Sequence, residues 1–277
     1  MPDYAEFIIC AEEGAVVLMA TVQRVIDINS DVGESFGAWR MGYDEHTLAS
    51  VTSANIACGF HAGDPSTMRE TVRTAARLNV SCGAHPGYPD LVGFGRRDMA
   101  VSPEEAAADV AYQVGALWAI ARAEGVQLRH VKPHGALYNR AARDRALALA
   151  LAHAVRSLDL GLVLVGLAGS AMEQAAGEAG ITFAGEAFAD RAYNSDGSLV
   201  SRSRPGSVIE DVATVARRAV SIARDGSVET YDGGRINLAA HTICVHGDTE
   251  QAAQIARAVR EAVVAAGIRP EPLWKIV

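Results

Sequence analysis

The sequence predicts an α/β protein with a parallel sheet wrapped by helices, and three observations predict it. Apolar, β-branched runs alternate with segments of helical period about seven times from Val25 onward. Nearly every strand-like run ends in polar or ionisable residues. No linker, low-complexity tract or internal repeat interrupts the alternation. A closed barrel is the simplest use of seven βα units, and a doubly wound open sheet is the alternative; both place sites beyond the carboxyl ends of the strands.

The elements follow in order. Val25, Ile26 and Ile28 open the first strand, and period two puts Asp27, Asn29 and Asp31 on one face, with Glu34 just past its end. A row of acids on a buried strand is costly unless each meets a cation, a metal or hydrogen-bond donors, so a site begins here. Asp44 caps a short helix to about Val51. The second strand runs from Ala54 to Phe60, and Asp64-Pro65 starts the next helix as N-cap and first-turn proline. Asn79 to Ala84 is the third strand, closed by His85-Pro-Gly-Tyr-Pro-Asp90 and the glycine-rich Gly93-Phe-Gly-Arg-Arg97. Ser102-Pro-Glu-Glu105 is a capping box for a helix to about Glu124. Strands at Leu128–Lys132, Gly161–Gly166 and Thr182–Glu186 come next, with helices near Asp144–Ser157 and Ala171–Glu178 between them. After a polar excursion from Phe188 to Arg202, Val208 to Ile222 carries a helical stripe. Asp232-Gly-Gly234 marks a hairpin turn. The last strand is Thr242 to His246, and Asp248-Thr249 starts the last helix.

Composition narrows the function. With 49% hydrophobic residues in 277, one large domain can bury a sizeable core. A net charge of -8 argues against nucleic acid or an anionic membrane as partner. The four cysteines, Cys10, Cys58, Cys82 and Cys244, form no CxxC pair, and three sit in apolar runs; they read as free thiols of a cytoplasmic protein. Residues 1–24 fit poorly with the rest. Their apolar run Ala15–Val22 is too short to span a bilayer and lacks a basic lead-in, so it reads as an added edge strand, a disordered leader or an over-long start.

The polar residues cluster at strand ends. Asp27, Asn29, Asp31 and Glu34 lie at strand one, Asn55 and His61 at strand two, and His85 at strand three. Lys132 and His134 end strand four, Glu186 ends strand six with Asp190 and Arg191 just after, and His246 and Asp248 end strand seven. Histidines from four strand ends beside acids predict one shared mouth suited to metal binding or acid–base chemistry. Arg96 and Arg97 read as an anion clamp. His46, His130, His153 and His241 lack this context and read as structural. No GxxxxGK[ST] loop, GxGxxG, HExxH or GxSxG is present. Carboxylate–histidine or metal-assisted hydrolysis therefore fits better than serine or cysteine nucleophilic catalysis.

Seven motifs in order, from Asp27-x-Asn-x-Asp31-x-Gly-Glu-Ser-Phe-Gly37 through Asn55-Ile-Ala-Cys-Gly-Phe-His-Ala-Gly-Asp64, Gly83-Ala-His-Pro-Gly-Tyr-Pro-Asp90, Gly93-Phe-Gly-Arg-Arg97, Val131-Lys-Pro-His-Gly-Ala-Leu-Tyr-Asn139 and Glu186-x-Phe-Ala-Asp-Arg-x-Tyr193 to Thr242-Ile-Cys-Val-His-Gly-Asp248, resemble the LamB/YcsF family, the A component of 5-oxoprolinase. The resemblance runs from about Val25 to Gly267. It implies a single-domain, TIM-like (β/α)7 barrel similar to the glycoside hydrolase/deacetylase superfamily. It also implies ATP-dependent hydrolysis of 5-oxo-L-proline to L-glutamate with two partner subunits, B and C. On that basis Asp27 is expected as general base, with Asp31, Lys132, His134 and Glu186 as further catalytic groups. Asn29, Glu34, Asn55, Arg97, Asp190, Arg191 and His246 are expected to bind substrate. Asp31, His61 and His85 are expected to hold a divalent metal or orient water, and ATP to be handled by the partners. The family usually has Cys where this chain has Ser30, and the extension before Val25 lies outside its pattern. Two rival readings are a metal-dependent amidase or deacetylase of a sugar-like substrate, which would turn over without ATP, and a non-catalytic subunit that only captures a small acid.

Overall fold

The computed structural model describes the backbone at residues 6–12 and 15–21, and residues 24–42, 44–158, 160–245 and 251–277 in full. Strands β1 (Glu6–Glu12) and β2 (Ala15–Thr21) pair antiparallel, Glu6 opposite Thr21, in a two-stranded sheet of their own. Of the three readings of the run from Ala15, a strand is what the structure describes over Ala15–Thr21, paired with β1 and not with the main sheet.

The alternation expected from Val25 is present. In chain order it comprises β3 (Val25–Val32), α1 (Asp44–Leu48), β4 (Ser53–Ala57), α2 (Pro65–Arg77), β5 (Ser81–His85), α3 (Pro103–Ala123) and β6 (Leu128–Val131). There follow α4 (Gly135–Ala141), α5 (Arg145–Ser157), β7 (Val163–Leu167), α6 (Ala171–Ala179), β8 (Phe183–Phe188) and α7 (Val212–Asp225). A hairpin of β9 (Ser227–Glu229) and β10 (Arg235–Asn237), then β11 (Thr242–Cys244), α8 (Ala252–Ala265) and β12 (Arg269–Pro270), complete it.

Strands β3 to β8 pair parallel with their neighbours in chain order. β11 pairs parallel with both β8 and β3, Cys244 standing opposite Phe188 on one side and Asn29 on the other. That second pairing closes a seven-stranded barrel and excludes the open sheet. Ile26, Ile28 and Ile56 join the buried apolar layer under the helices. Asn29 of β3 reaches Lys132 and Glu186 across non-adjacent strands, so the polar face of β3 points into the barrel.

Local signals behave as their chemistry demands. Asp64 accepts hydrogen bonds from the Ser66 and Thr67 amides ahead of Pro65, and Ser102 and Glu105 form the reciprocal capping box. Three differences have physical reasons. The stripe from Val208 enters its helix only after Asp211, which caps through the Thr214 amide, while Val208 bridges to Arg191. Helix α4 was not expected; its N-cap, His134, makes no side-chain cap bond, and Gly135 sits at φ +54°, so no start signal is written there. The two-residue β12 pairs parallel with Val25 and Ile26 at the start of β3 and is too short for a periodicity to register. Asp248, expected to start the last helix, lies outside the described residues. Cys58, Cys82 and Cys244 are buried free thiols. No helix among the described residues is long and apolar enough to cross a membrane.

Two glycines give opposite expectations. A Cβ at Gly83 would overlap the His130 ring, so Gly83→Ala is expected to destabilise the fold by roughly 1–3 kcal/mol. At Gly115, inside α3, a Cβ meets nothing within 4 Å, and Gly115→Ala should stabilise it by about 0.5–1 kcal/mol. Urea midpoints of the two variants check both signs.

Candidate active site

The site is built on one buried cation. Lys132 follows β6 directly, its amide bonded to the Ala84 carbonyl, and Pro133 fixes the chain beyond it. Its ammonium lies 2.9 Å from Asp31 Oδ1, 2.8 Å from Glu186 Oε1, 3.2 Å from Asn29 Oδ1 and 3.2 Å from Cys244 Sγ. Burial disfavours the charge, but Asp31 and Glu186 outweigh it and hold the Lys132 pKa well above 10.5. Burial likewise keeps the Cys244 sulfur a thiol.

Two amides lock this floor. Asn29 donates to Glu186 Oε1 and Thr242 Oγ1, while its oxygen accepts from Asn55 and Lys132. Asn55 donates to Asn29 and to Asp31 Oδ1 at 2.8 Å, and accepts from His130 Nε2. With their hydrogen bonds spent inside the barrel, both residues position Asp31 rather than reach outward. His130, pushed down to about 3 by burial and by Lys132, is the neutral support read from the sequence.

Above the floor three histidines and a carboxylate converge. Ligand atoms of Glu34, His61, His85 and His134 all lie within 4.8 Å of one another, and all four residues are buried; this group is able to hold a metal ion. The His61 and His134 rings stack at 3.8 Å with 2° between their planes. His134 Nδ1 is 2.9 Å from His85 Nε2, and Asp31 Oδ2 is 3.3 Å from the same His85 nitrogen. Burial, with the neighbouring histidines second, holds His61 and His134 well below 6.5, so both are neutral at pH 7. The close approach needs glycine: a Cβ at Gly95 would come 2.7 Å from His61 Cβ, and one at Gly87 2.7 Å from His61 Nδ1.

These groups open onto a cavity of about 1080 Å³, whose wall includes Asp31, Glu34, Lys132, Arg96, Arg191 and Arg202. Of the expected site residues, Asp31, Glu34, His85, Lys132, His134 and Arg191 line it. His61 joins from behind as part of the histidine group, and Asn29, Asn55 and Glu186 form the layer beneath. Arg191 is held by the Val200 and Ser207 carbonyls, and burial lowers its pKa only to about 10, leaving it charged at neutral pH.

Four expectations fare differently. Asp27 lies four residues below Asp31 on the same face, fully buried and outside the cavity lining, bonded to the Thr52, Ser53 and Thr242 hydroxyls. Arg97 points to solvent and pairs with Asp90, whereas the adjacent Arg96 lines the cavity with its guanidinium over the Phe94 ring. Asp190 is buried behind the lining. His246 lies outside the described residues. Sequence reading missed the grouping of Glu34 with the histidines, because residues from a loop after the strand carry no periodicity that tells where they turn. It also missed the Phe94 carbonyl, which bonds His134 Nε2 at 2.8 Å and has no sequence signature.

A closed parallel barrel with a carboxylate–lysine floor, grouped histidines and arginines at its carboxyl-end mouth defines a TIM-like barrel protein of hydrolytic type. Residues 26–277 match the LamB/YcsF family, and the chain belongs to that family. It is 55% identical over 243 residues to the 5-oxoprolinase A subunit of Bordetella pertussis, covering 88% of this chain and 96% of that protein. To the 5-oxoprolinase A subunit of Pyrococcus horikoshii it is 49% identical over 252 residues, 91% and 99% of the two chains. The crystal structure of the lactam utilization protein from Thermus thermophilus matches it with a TM-score of 0.85 at 51% identity, covering 89% of this chain and 99% of that one.

Asp27 makes a pH prediction. Burial raises its pKa from 3.8 to about 6 against the pull of three hydroxyls. The folded state therefore holds the proton that the unfolded chain has released, so stability is fully present below 3.8 and lost as pH rises toward 6. The expected slope is about 1.4 kcal/mol per pH unit across that window. His61, His130 and His134, held below 6.5, contribute the opposite slope over the same window. The reading is therefore the difference in stability between parent and Asp27→Asn, which should fall by about 1.4 kcal/mol per pH unit between pH 4 and pH 6 in urea unfolding of both proteins.

Proposed function

We propose that this chain is the A component of an ATP-dependent 5-oxoprolinase, opening the lactam of 5-oxo-L-proline to L-glutamate as ATP goes to ADP and phosphate. The observation that carries this reading is its identity of 49% to 55% with proteins named as the A subunit of 5-oxoprolinase, over most of both chains. The word subunit in those names supports partners, which we take to be two, B and C. Metal-only amidase and non-catalytic readings have no comparable observation behind them.

The lactam is an unstrained amide, a poor target for water until its oxygen is activated, and phosphorylation of that oxygen by ATP is a sufficient activation. The sequence has no phosphate-cradling loop of the GxxxxGK[ST] kind, so we assign the phosphorylation to the partners and the addition of water to this mouth. Asp31, at the cavity floor, orients the water and takes its proton as the oxygen bonds to the ring carbonyl carbon. Lys132, 2.9 Å from Asp31, faces the phosphorylated oxygen and balances the negative charge of its phosphoryl group, while the electron pair displaced by the water moves to the ring nitrogen. Proton transfer to the ring nitrogen and breaking of the ring C–N bond leave the amine and a side-chain carboxyl phosphate, and a second water then releases inorganic phosphate and L-glutamate. Arg96 and Arg191 on the cavity wall suit the substrate carboxylate or a phosphoryl group. Glu34, His61, His85 and His134 would hold any metal here, which would supply charge to polarise a carbonyl or acidify a water.

Glutamate release from 5-oxoproline and ATP, measured with the partner subunits with and without this chain, tests the assignment. Release should require the chain. Asp31→Asn should lower kcat by about 100-fold or more, and Arg96→Ala should act mainly on KM. Arg97→Ala, on the outer face with Asp90, should change neither by more than about twofold. Equal release without the chain would sink the reading.

A further inference from the structure

The hydrogen bonds around the histidines carry more information than their proximity. His85 Nδ1 lies 2.7 Å from the Lys132 carbonyl, and a carbonyl oxygen can only accept. The proton of a neutral ring at His85 is therefore on Nδ1, and Nε2 is bare. His134 Nε2 is anchored in the same way to the Phe94 carbonyl at 2.8 Å, which leaves its Nδ1 bare. These two bare nitrogens face each other at 2.9 Å. Two lone pairs aimed at one another at that distance repel, so the arrangement calls for a positive centre between them.

A shared proton would satisfy His85 and His134 but would leave His61 unexplained. His61 is fully buried, and neither of its ring nitrogens has a hydrogen-bond partner among the described residues. Its Nδ1 is packed against Gly87, and its Nε2 lies 4.0 Å from Glu34 Oε1. The same Glu34 oxygen is 3.9 Å from the bare nitrogen of His134. Three imidazole nitrogens and a carboxylate oxygen thus surround one point. In two of the three rings the far nitrogen donates to a main-chain carbonyl, the outer-sphere arrangement that fixes tautomer and orientation of metal-ligating histidines.

We infer that Glu34, His61, His85 and His134 form a site for a single divalent transition-metal ion. Imidazole-rich donors with one carboxylate suit zinc and its first-row neighbours and disfavour magnesium and calcium, which take oxygen ligands. Asp31, expected from the sequence as a ligand, keeps Oδ1 on Lys132 and Asn55 and turns Oδ2 toward His85 Nε2 at 3.3 Å, so it stands beside the ion, where it can serve as a base. The inference deepens the lactam-opening reading of this mouth, on which it rests for its chemical role only.

The test uses the full-length chain alone, without ATP or partner subunits. After chelator treatment and dialysis it is titrated calorimetrically with zinc chloride and, separately, with magnesium chloride, and its cobalt(II) spectrum is recorded. One zinc per chain, no magnesium heat at the same concentrations and a visible cobalt d–d band are expected. His61→Ala and Glu34→Gln, each checked for folding by circular dichroism, should weaken zinc by more than the roughly 10- to 100-fold that loss of an outer-sphere partner costs. His153→Ala, an exposed histidine on α5, should bind as the parent does. If no zinc is taken up, or zinc binds equally well in the folded His61→Ala and Glu34→Gln variants, the metal site is overturned. Because no turnover is measured, zinc uptake without glutamate release would count against the oxoprolinase reading alone, and glutamate release by a chain that takes up no metal would count against this one alone.

Discussion

The ammonium of Lys132 is the constraint on which the barrel interior depends. Asp31 and Glu186 are both buried and both within hydrogen-bond reach of it. Without a counter-charge each would carry a desolvation cost of several kcal/mol, and removing one partner of a buried pair typically costs about 3–5 kcal/mol. Lys132 reaches both because it leaves β6, three strands from β3 along the sheet and two from β8, and a narrow barrel brings those strands face to face. Closure of the barrel and charge balance in its centre therefore require each other. The β11–β3 pairing adds Cys244 beside the ammonium and Thr242 beside Asp27 and Asn29.

The interior is layered along β3. Asp27 sits deepest and is served by hydroxyls, Asn29 is the middle layer and is served by amides and the lysine, and Asp31 reaches the cavity. Three acidic or amide side chains with one periodicity thus acquire three environments. Hydroxyl donors allow Asp27 to be buried without a cation, at the expense of a raised pKa. Asn29 spends its hydrogen bonds on fixing its neighbours. Asp31 alone combines a cation, an amide and access to the mouth.

This layering explains what could be read from the sequence. Period two on β3 correctly placed Asp27, Asn29 and Asp31 on one face, and strand-end positions correctly brought His61, His85 and His134 together. The seven βα units and most helix starts were legible because caps such as Asp64 and Ser102 act within a few residues. Depth was not legible. Whether a residue lies at the mouth or four residues below it depends on where a strand meets its neighbours, which is set by the Asp31–Asn55 and Thr242–Asp27 registers rather than by any local pattern. Neither was the choice between Arg96 and Arg97. Two adjacent arginines on a loop are equivalent in sequence, and only the fold shows that Arg97 pairs with Asp90 while Arg96 lies over Phe94.

The histidine group owes its geometry to the main chain more than to side chains, and the loop after β5 shows the consequence. Phe94 adopts φ +56°, a left-handed conformation that costs a residue with a Cβ about 1–2 kcal/mol. Such strain persists where the surroundings fix it. Here they do so from three sides: the Phe94 ring packs edge-on against His61 and His134, Arg96 lies over it, and Gly95 on its far side bonds the Asp90 carbonyl. The result is a carbonyl aimed at His134 Nε2 and a loop pressed onto His61. A side-chain acceptor in that place would have rotamers to lose and would let the imidazole turn. A carbonyl held by backbone conformation has none, so the proton on His134 is fixed to the outer nitrogen and the inner one is left facing the other histidines. The strained residue is thus the one that sets which atoms the mouth presents.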